Sequence, residues 1–270
     1  MSIAIAAFAG WNDAGAAATD AVAYIGDRRD TEPVDKISSQ RYCDFQINRP
    51  IVQNGPDGER RLIWPDTQIL ATGLEAEEQL VFVHGVEPAR SWKRFCRELL
   101  EILEQLDVHR IILVGALLAD VPHTRPATAT ATSSSARVRE ALDIGVNDYE
   151  GPTGIVGVLE HEANRQERFE ALSVWAPVPH YVGASPSPRT ELALVQRVTE
   201  LAGITGLDTR ELADEARAWT EGVDALAKED PEIASYVESL ESAMDTLASP
   251  AASGEALAKE FERYLRRRGQ

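Results

Sequence analysis

Unbroken apolar runs alternate with helical stripes along most of this chain. The opening run SIAIAAF predicts a strand buried on both faces, because it lacks the polar-out positions of a half-exposed strand. It leads into AGWNDAGAAATDAVAYI, where residues 10–15 predict a turn and the alanine-rich remainder predicts a helix. Residues 34–72 differ: VDKISSQRY, RLIW and TQILAT are short β-like runs divided by NRP, NGPDG and Pro65, which predicts a hairpin-rich insertion. Strand and helix then alternate again, through QLVFVHG, a helix over SWKRFCRELLEILEQL, and the run RIILVGALL. A helix beginning near Thr153 and the strand FEALSVWAP follow. Such alternation predicts an α/β fold, a three-layer α/β/α sandwich around a largely parallel sheet, over residues 1–203.

After Gly203 the pattern becomes helical. Leu212, Ala216, Trp219, Val223 and Leu226 step by four and three, and Asp208 with Glu211 resembles a capping box. A second stripe runs through Ile233, Val237, Leu240, Met244 and Leu247, with Asp230 as N-cap and Pro231 at the first helical position. These predict an antiparallel helical hairpin plus a final helix, a C-terminal extension over residues 204–270. Between Glu200 and Glu262 stand 16 acidic and 4 basic residues, whereas the terminal RYLRRRGQ carries four arginines. That excess reads either as a solvated helix face or as a surface for another protein.

Composition narrows the function. With 270 residues and 44% hydrophobic content, the chain can fill a sizeable core. A formal charge of -17 would repel a phosphate backbone, which argues against nucleic-acid binding. The start lacks a basic n-region, and no run approaches the roughly 20 apolar residues a membrane span needs. A cytoplasmic protein is expected, with Cys43 and Cys96 reduced, since no CxxC or disulfide framework is present.

Several motifs fall short of a known chemistry. GWNDAG has the spacing of a phosphate-binding loop, but Ala16 and Ala17 stand where lysine and serine or threonine are needed. The turn still exposes Asn12 and Asp13 at the carboxyl end of a strand, either to meet a ligand or to cap the helix. LEHEANR has arginine where a zincin needs its second histidine, no GxSxG elbow occurs, and the five histidines lack metal-ligand spacing. No metal, cofactor or catalytic residue is predicted. EGPTG places Thr153 and Gly154 at a helix start able to hold an anion, or simply to pack closely on the sheet. DVPHTRP delivers His123 and Arg125 to a sheet edge, and VPHY delivers His180, so these residues join the ligand-binding candidates.

Taken in order, FAGWNDAG, YCDFQINRP, VHGVEPARSW, GALLADVPHTRP, YEGPTGIVGVL and WAPVPHYVGASPSP resemble the bacterial, actinobacterial-type branch of the proteasome assembly chaperone 2 family. The resemblance spans residues 8–188 and implies a phosphorylase/hydrolase-like fold and homo-oligomers, trimers being the best guess. For eukaryotic and archaeal relatives it implies chaperoning of proteasome subunits, often through a C-terminal hydrophobic-tyrosine-any-residue tail. Here Tyr264 lies six residues from the terminus, which departs from that tail. The expected function is therefore a non-enzymatic assembly or scaffolding protein whose partners are itself and, through the acidic extension, another protein. The alternative is a nucleoside- or anion-type binding protein or enzyme with a pocket at the strand carboxyl ends.

Overall fold

The computed structural model describes residues 2–55, 58–73 and 79–247, and of residues 246 and 247 the backbone alone. Its strands are β1 (Ser2–Ala9), β2 (Thr31–Ile37), β3 (Ile51–Asn54), β4 (Arg60–Ile63), β5 (Thr67–Thr72), β6 (Leu80–Val86), β7 (Val108–Ala119), β8 (Thr130–Ser133), β9 (Gly145–Val146) and β10 (Glu170–Pro179). Its helices are α1 (Ala17–Asp27), α2 (Trp92–Gln105), α3 (Ala136–Leu142), α4 (Ile155–Asn164), α5 (Pro188–Leu201), α6 (Arg210–Glu229) and α7 (Pro231–Leu247). The main sheet has eight strands, ordered β2-β5-β6-β1-β7-β10-β8-β9. Its centre, β6-β1-β7-β10, is parallel throughout, and antiparallel strands flank it on either side.

β1 shows why the sequence reads as a continuous apolar run. Ile3, Ile5 and Ala7 face α1 and α5, packing with Val22, Ile25 and Leu194. Ala4, Ala6 and Phe8 face the other way, toward Phe95 and Leu99 of α2 and Ile155 of α4. With a helical layer on each side, every position of the strand is interior, so period-2 alternation vanishes. The expected α/β/α layering is observed.

The segment 34–72 is organised differently from the expected insertion. β2 and β5 extend the main sheet beyond β6, and the separate hairpin is confined to β3 and β4. Pro33 is tolerated because β2 is the outermost strand, where a missing N–H costs no ladder bond, and the pairing register shifts just after it. β8, α3, β9 and α5 were not anticipated from the pattern.

The acidic helices follow α5. α6 buries Leu212, Ala216 and Val223, but its stripe ends on Ala227 rather than on Leu226, which is 62% exposed. Its start also departs from a capping box. Asp208 accepts from the amide of Arg210 and grips its guanidinium, and the N-cap position is Thr209. The α7 start is as expected: Asp230 Oδ1 accepts from the amide of Glu232 at 2.9 Å, with Pro231 in the first position. The predicted final helix lies outside the described residues.

Cys43 and Cys96 are both free and buried. Burial, reinforced by Glu162, pushes the Cys96 thiol up to about 12, which removes its thiolate at neutral pH.

Glu191 of α5 is 9% exposed and faces Asp20 of α1 and Glu215 of α6, with Arg28, just past the end of α1, as the opposing charge. Burial, then Asp20 and Glu215, push its carboxyl from an ordinary 4.5 to about 7. Since the folded value lies above the unfolded one, the stabilisation is present below 4.5 and is lost as pH rises through about 7. Glu191→Gln should therefore be near neutral for stability at acid pH. By pH 8 it should stabilise by about 1–2 kcal/mol, after discounting for partial solvation. Urea denaturation across that pH range checks this, and a pH-independent effect would contradict it.

Candidate functional site

The residues singled out from sequence fall into two groups at the carboxyl ends of the parallel strands. The first surrounds Glu87, just past the end of β6. Glu87 Oε1 accepts from Asn12 Nδ2 at 2.7 Å and from the amide of Ile155, first residue of α4, at 2.9 Å. Its Oε2 accepts from the Trp11 amide at 3.4 Å. The helix start expected to hold an anion thus holds one supplied by the chain itself.

Asn12 is 2% exposed, and its carbonyl accepts from the amide of Ala116 on β7. The side-chain amide must point its nitrogen at the Glu87 carboxylate, which leaves Oδ1 buried without a partner among the described residues. Gly154 is glycine by necessity here, since a Cβ would land on the Asn12 amide. Thr153 is exposed, and its hydroxyl packs over Gly157. Asp13 takes the capping role. Its Oδ1 accepts from the amides of Ala18 and Thr19 at 2.8 and 3.2 Å, and its Oδ2 from the Thr19 hydroxyl. Burial raises its carboxyl above the usual range, against the pull of those three bonds.

The second group joins both Pro-His turns to the acidic helices. His123 is 1% exposed. Its Nε2 lies 3.0 Å from Asp224 Oδ1 of α6, and its Nδ1 lies 2.7 Å from the Tyr181 hydroxyl. The Tyr181 oxygen also accepts from the backbone N–H of His123 at 2.7 Å. One neutral tautomer satisfies all three: Nε2–H donates to Asp224, and the Tyr181 hydroxyl donates to Nδ1. His180 Nδ1 pairs with Asp120 at 3.1 Å, and Asp120 also accepts from the Tyr236 hydroxyl of α7. The rings of His180, Tyr181 and Tyr236 meet edge to face, with centroids 5.5 to 5.9 Å apart. Arg125 grips Asp245 of α7 with both prongs of its guanidinium, at 3.0 and 2.7 Å, and reaches Glu241 at 3.2 Å.

The two histidines therefore share one space, and a helical hairpin closes it. The Asp224–His123–Tyr181 chain has the order of a base-activated nucleophile, but its phenol is engaged by both the ring and the amide of His123. Burial pushes that phenol up, keeping it protonated at neutral pH. Among the described residues, no group of three or more His, Cys, Asp or Glu is placed to hold a metal.

The sequence matches the PAC2 family over residues 7–227. This chain belongs to the PAC2 family. A PAC2 family protein from Streptomyces avermitilis is 40% identical, covers 88% of this chain and 100% of its own, and superposes with a TM-score of 0.80. A Mycobacterium tuberculosis proteasome-assembly chaperone homologue is 38% identical, covering 87% and 99%, with a TM-score of 0.76. Pyrococcus furiosus PbaA, an archaeal homologue of proteasome-assembly chaperone, shares the fold at 15% identity and a TM-score of 0.59, covering 90% of this chain and 95% of its own. No match was found among curated proteins.

In this PAC2 chain, the residues sequence reasoning passed over are the partners. Glu87 stands at the carboxyl end of a parallel strand, a place where an acidic residue merits notice. Tyr181 adjoins His180 in sequence. Asp224, Tyr236, Glu241 and Asp245 carry no such signal, because they sit about a hundred residues from the side chains they hold.

Replacing His123 with alanine strands Asp224 and removes the ring's bond to the Tyr181 hydroxyl, leaving only the bond from the residue's own amide, at a cost of about 1–3 kcal/mol. Hydrogen exchange should accelerate in α6 and α7 while β1 and β7 stay protected. Unchanged exchange in α7 would refute the clamp.

Proposed function

We propose that this chain is a non-enzymatic assembly or scaffolding protein that works as a homo-oligomer, a trimer by preference. The carrying observation is where its unsatisfied surface lies. The polar residues at the strand ends are largely engaged with the chain's own carboxylates, whereas the β3–β4 hairpin exposes large apolar side chains to solvent. Ile51 is 60% exposed and Leu62 57%, and Val52, Ile63 and Trp64 are exposed beside them. Ile51 pairs with Ile63 and Val52 with Leu62, so each face of the hairpin presents an exposed apolar pair, and exposed apolar surface of this kind marks a protein contact. Arg49 and Arg60 on and beside the same arm complement the acidic surface of α6 and α7, so the matching occupant is a second copy of the chain.

Membership of the PAC2 family supports a role in protein assembly, as does likeness to a mycobacterial proteasome-assembly chaperone homologue. The acidic extension, residues 204–270, is the second surface through which another protein would be engaged. No helix among the described residues is long and apolar enough to cross a membrane. A small-molecule pocket at the strand ends is the lesser reading, since both the Glu87 and the His123 networks would have to open first.

Light scattering coupled to size exclusion tests the oligomer directly. The wild-type chain should elute as a homo-oligomer. Ile51→Asp with Leu62→Asp should shift it to monomer with unchanged circular dichroism, because both side chains are already exposed in the isolated fold. A wild-type monomer, or an oligomer indifferent to both changes, would refute the proposed interface.

A further inference from the structure

Among the described residues, Arg189 combines partial burial with the lack of a counter-charge. Arg189, the second residue of α5, is half-buried. Among the described residues it has neither an ion-pair nor a hydrogen-bond partner. Burial depresses its guanidinium below the ordinary arginine range, offset only by the nearby Tyr181. Leaving a partly desolvated guanidinium unpaired is costly, and no carboxylate among the described residues pairs with it.

Arg189 borders a cavity of about 240 Å³ between α5, α6 and the loop after β7. Gln196 and Thr220 add amide and hydroxyl groups to its lining, and Arg217 brings a second guanidinium. Arg217 already holds Asp214, one turn away, so its charge is largely neutralised and Arg189 offers the free fork. The remaining wall is apolar, built from Ala127, Leu192 and Ala216. A planar fork beside an apolar wall suits a ligand with an oxyanion head and a hydrocarbon body.

From this arrangement we infer that the α5–α6 cavity is a binding site for a small organic carboxylate. The carboxylate pairs with Arg189, and its short aliphatic body lies against Ala127, Leu192 and Ala216. The site is separate from the Glu87 network and from the exposed β3–β4 hairpin, and it adjoins the His123 network only through Tyr181, so it stands whether or not the chain proves to be a scaffold. Because α5 and α6 both line it, a bound carboxylate bridges the core to the acidic helices. It would strengthen the docking of α6.

Isothermal calorimetry on the full chain, with sodium butyrate and sodium hexanoate titrated at ionic strength held constant with chloride, tests the inference. Saturable binding is expected, at least tenfold weaker in Arg189→Gln. Ala127→Phe keeps the guanidinium but fills the cavity from its loop, and should weaken binding to a similar degree. Heats no different from chloride, or equal affinity in both variants and wild type, would overturn the site. Binding of inorganic phosphate with no response to either carboxylate would overturn the assignment of ligand class.

Discussion

A strand covered by helices on both faces can carry almost no polar side chain, and β1, β6, β7 and β10 are all covered in this way. The chain's polar chemistry is thereby pushed past the strand ends, into the loops after Ala9, Val86, Ala119 and Pro179. Register fixes this tightly. Slipping β1 by one residue would exchange the side chains packed on α1 with those packed on α2, and neither layer tolerates the swap. Where Asn12, Glu87, His123 and His180 end up is a consequence of that burial.

What fills the carboxyl edge is carboxylate from elsewhere in the chain. Glu87 occupies the α4 helix start, and Asp224 and Asp245 occupy His123 and Arg125. In an open α/β sheet this edge is the usual ligand crevice. Here the cations and amides that would receive a substrate anion are already neutralised. The same residue types that make the edge look like a site thus make it an internal joint.

Much of the fold was legible in the sequence because its signals are local. SIAIAAF and RIILVGALL announce strands with two covered faces, and Asp230-Pro231 announces a helix start within three residues. β2 and β5 misled because half-exposed antiparallel strands flanking a parallel core look like a free-standing hairpin until their neighbours are known. The candidate residues were visible as types at strand ends. Their partners were not visible, since a contact between His123 and Asp224 depends on how α6 docks, which no periodicity encodes. Arg189 was hidden for the opposite reason: its significance is a missing partner, and sequence alone does not show absence.

The links holding the acidic helices differ in strength, and that ordering bears on function. α6 is fixed by apolar burial of Leu212, Ala216 and Val223 and by a bond to a histidine that is itself 1% exposed. α7 buries Val237 and Leu240 and is also held by Tyr236, by the Thr124 hydroxyl on Glu241 and by the Arg125 pairs, whose carboxylates are partly exposed and so screened by salt. If either helix lifts first, it is α7, and lifting it frees Arg125, Asp120 and the aromatic faces of His180 and Tyr181. A surface that is latent under a weakly held acidic helix fits the proposed assembly role, in which one protein contact is exchanged for another. A catalytic edge would need the opposite arrangement, with its polar groups held open by the scaffold and unpaired until substrate arrives.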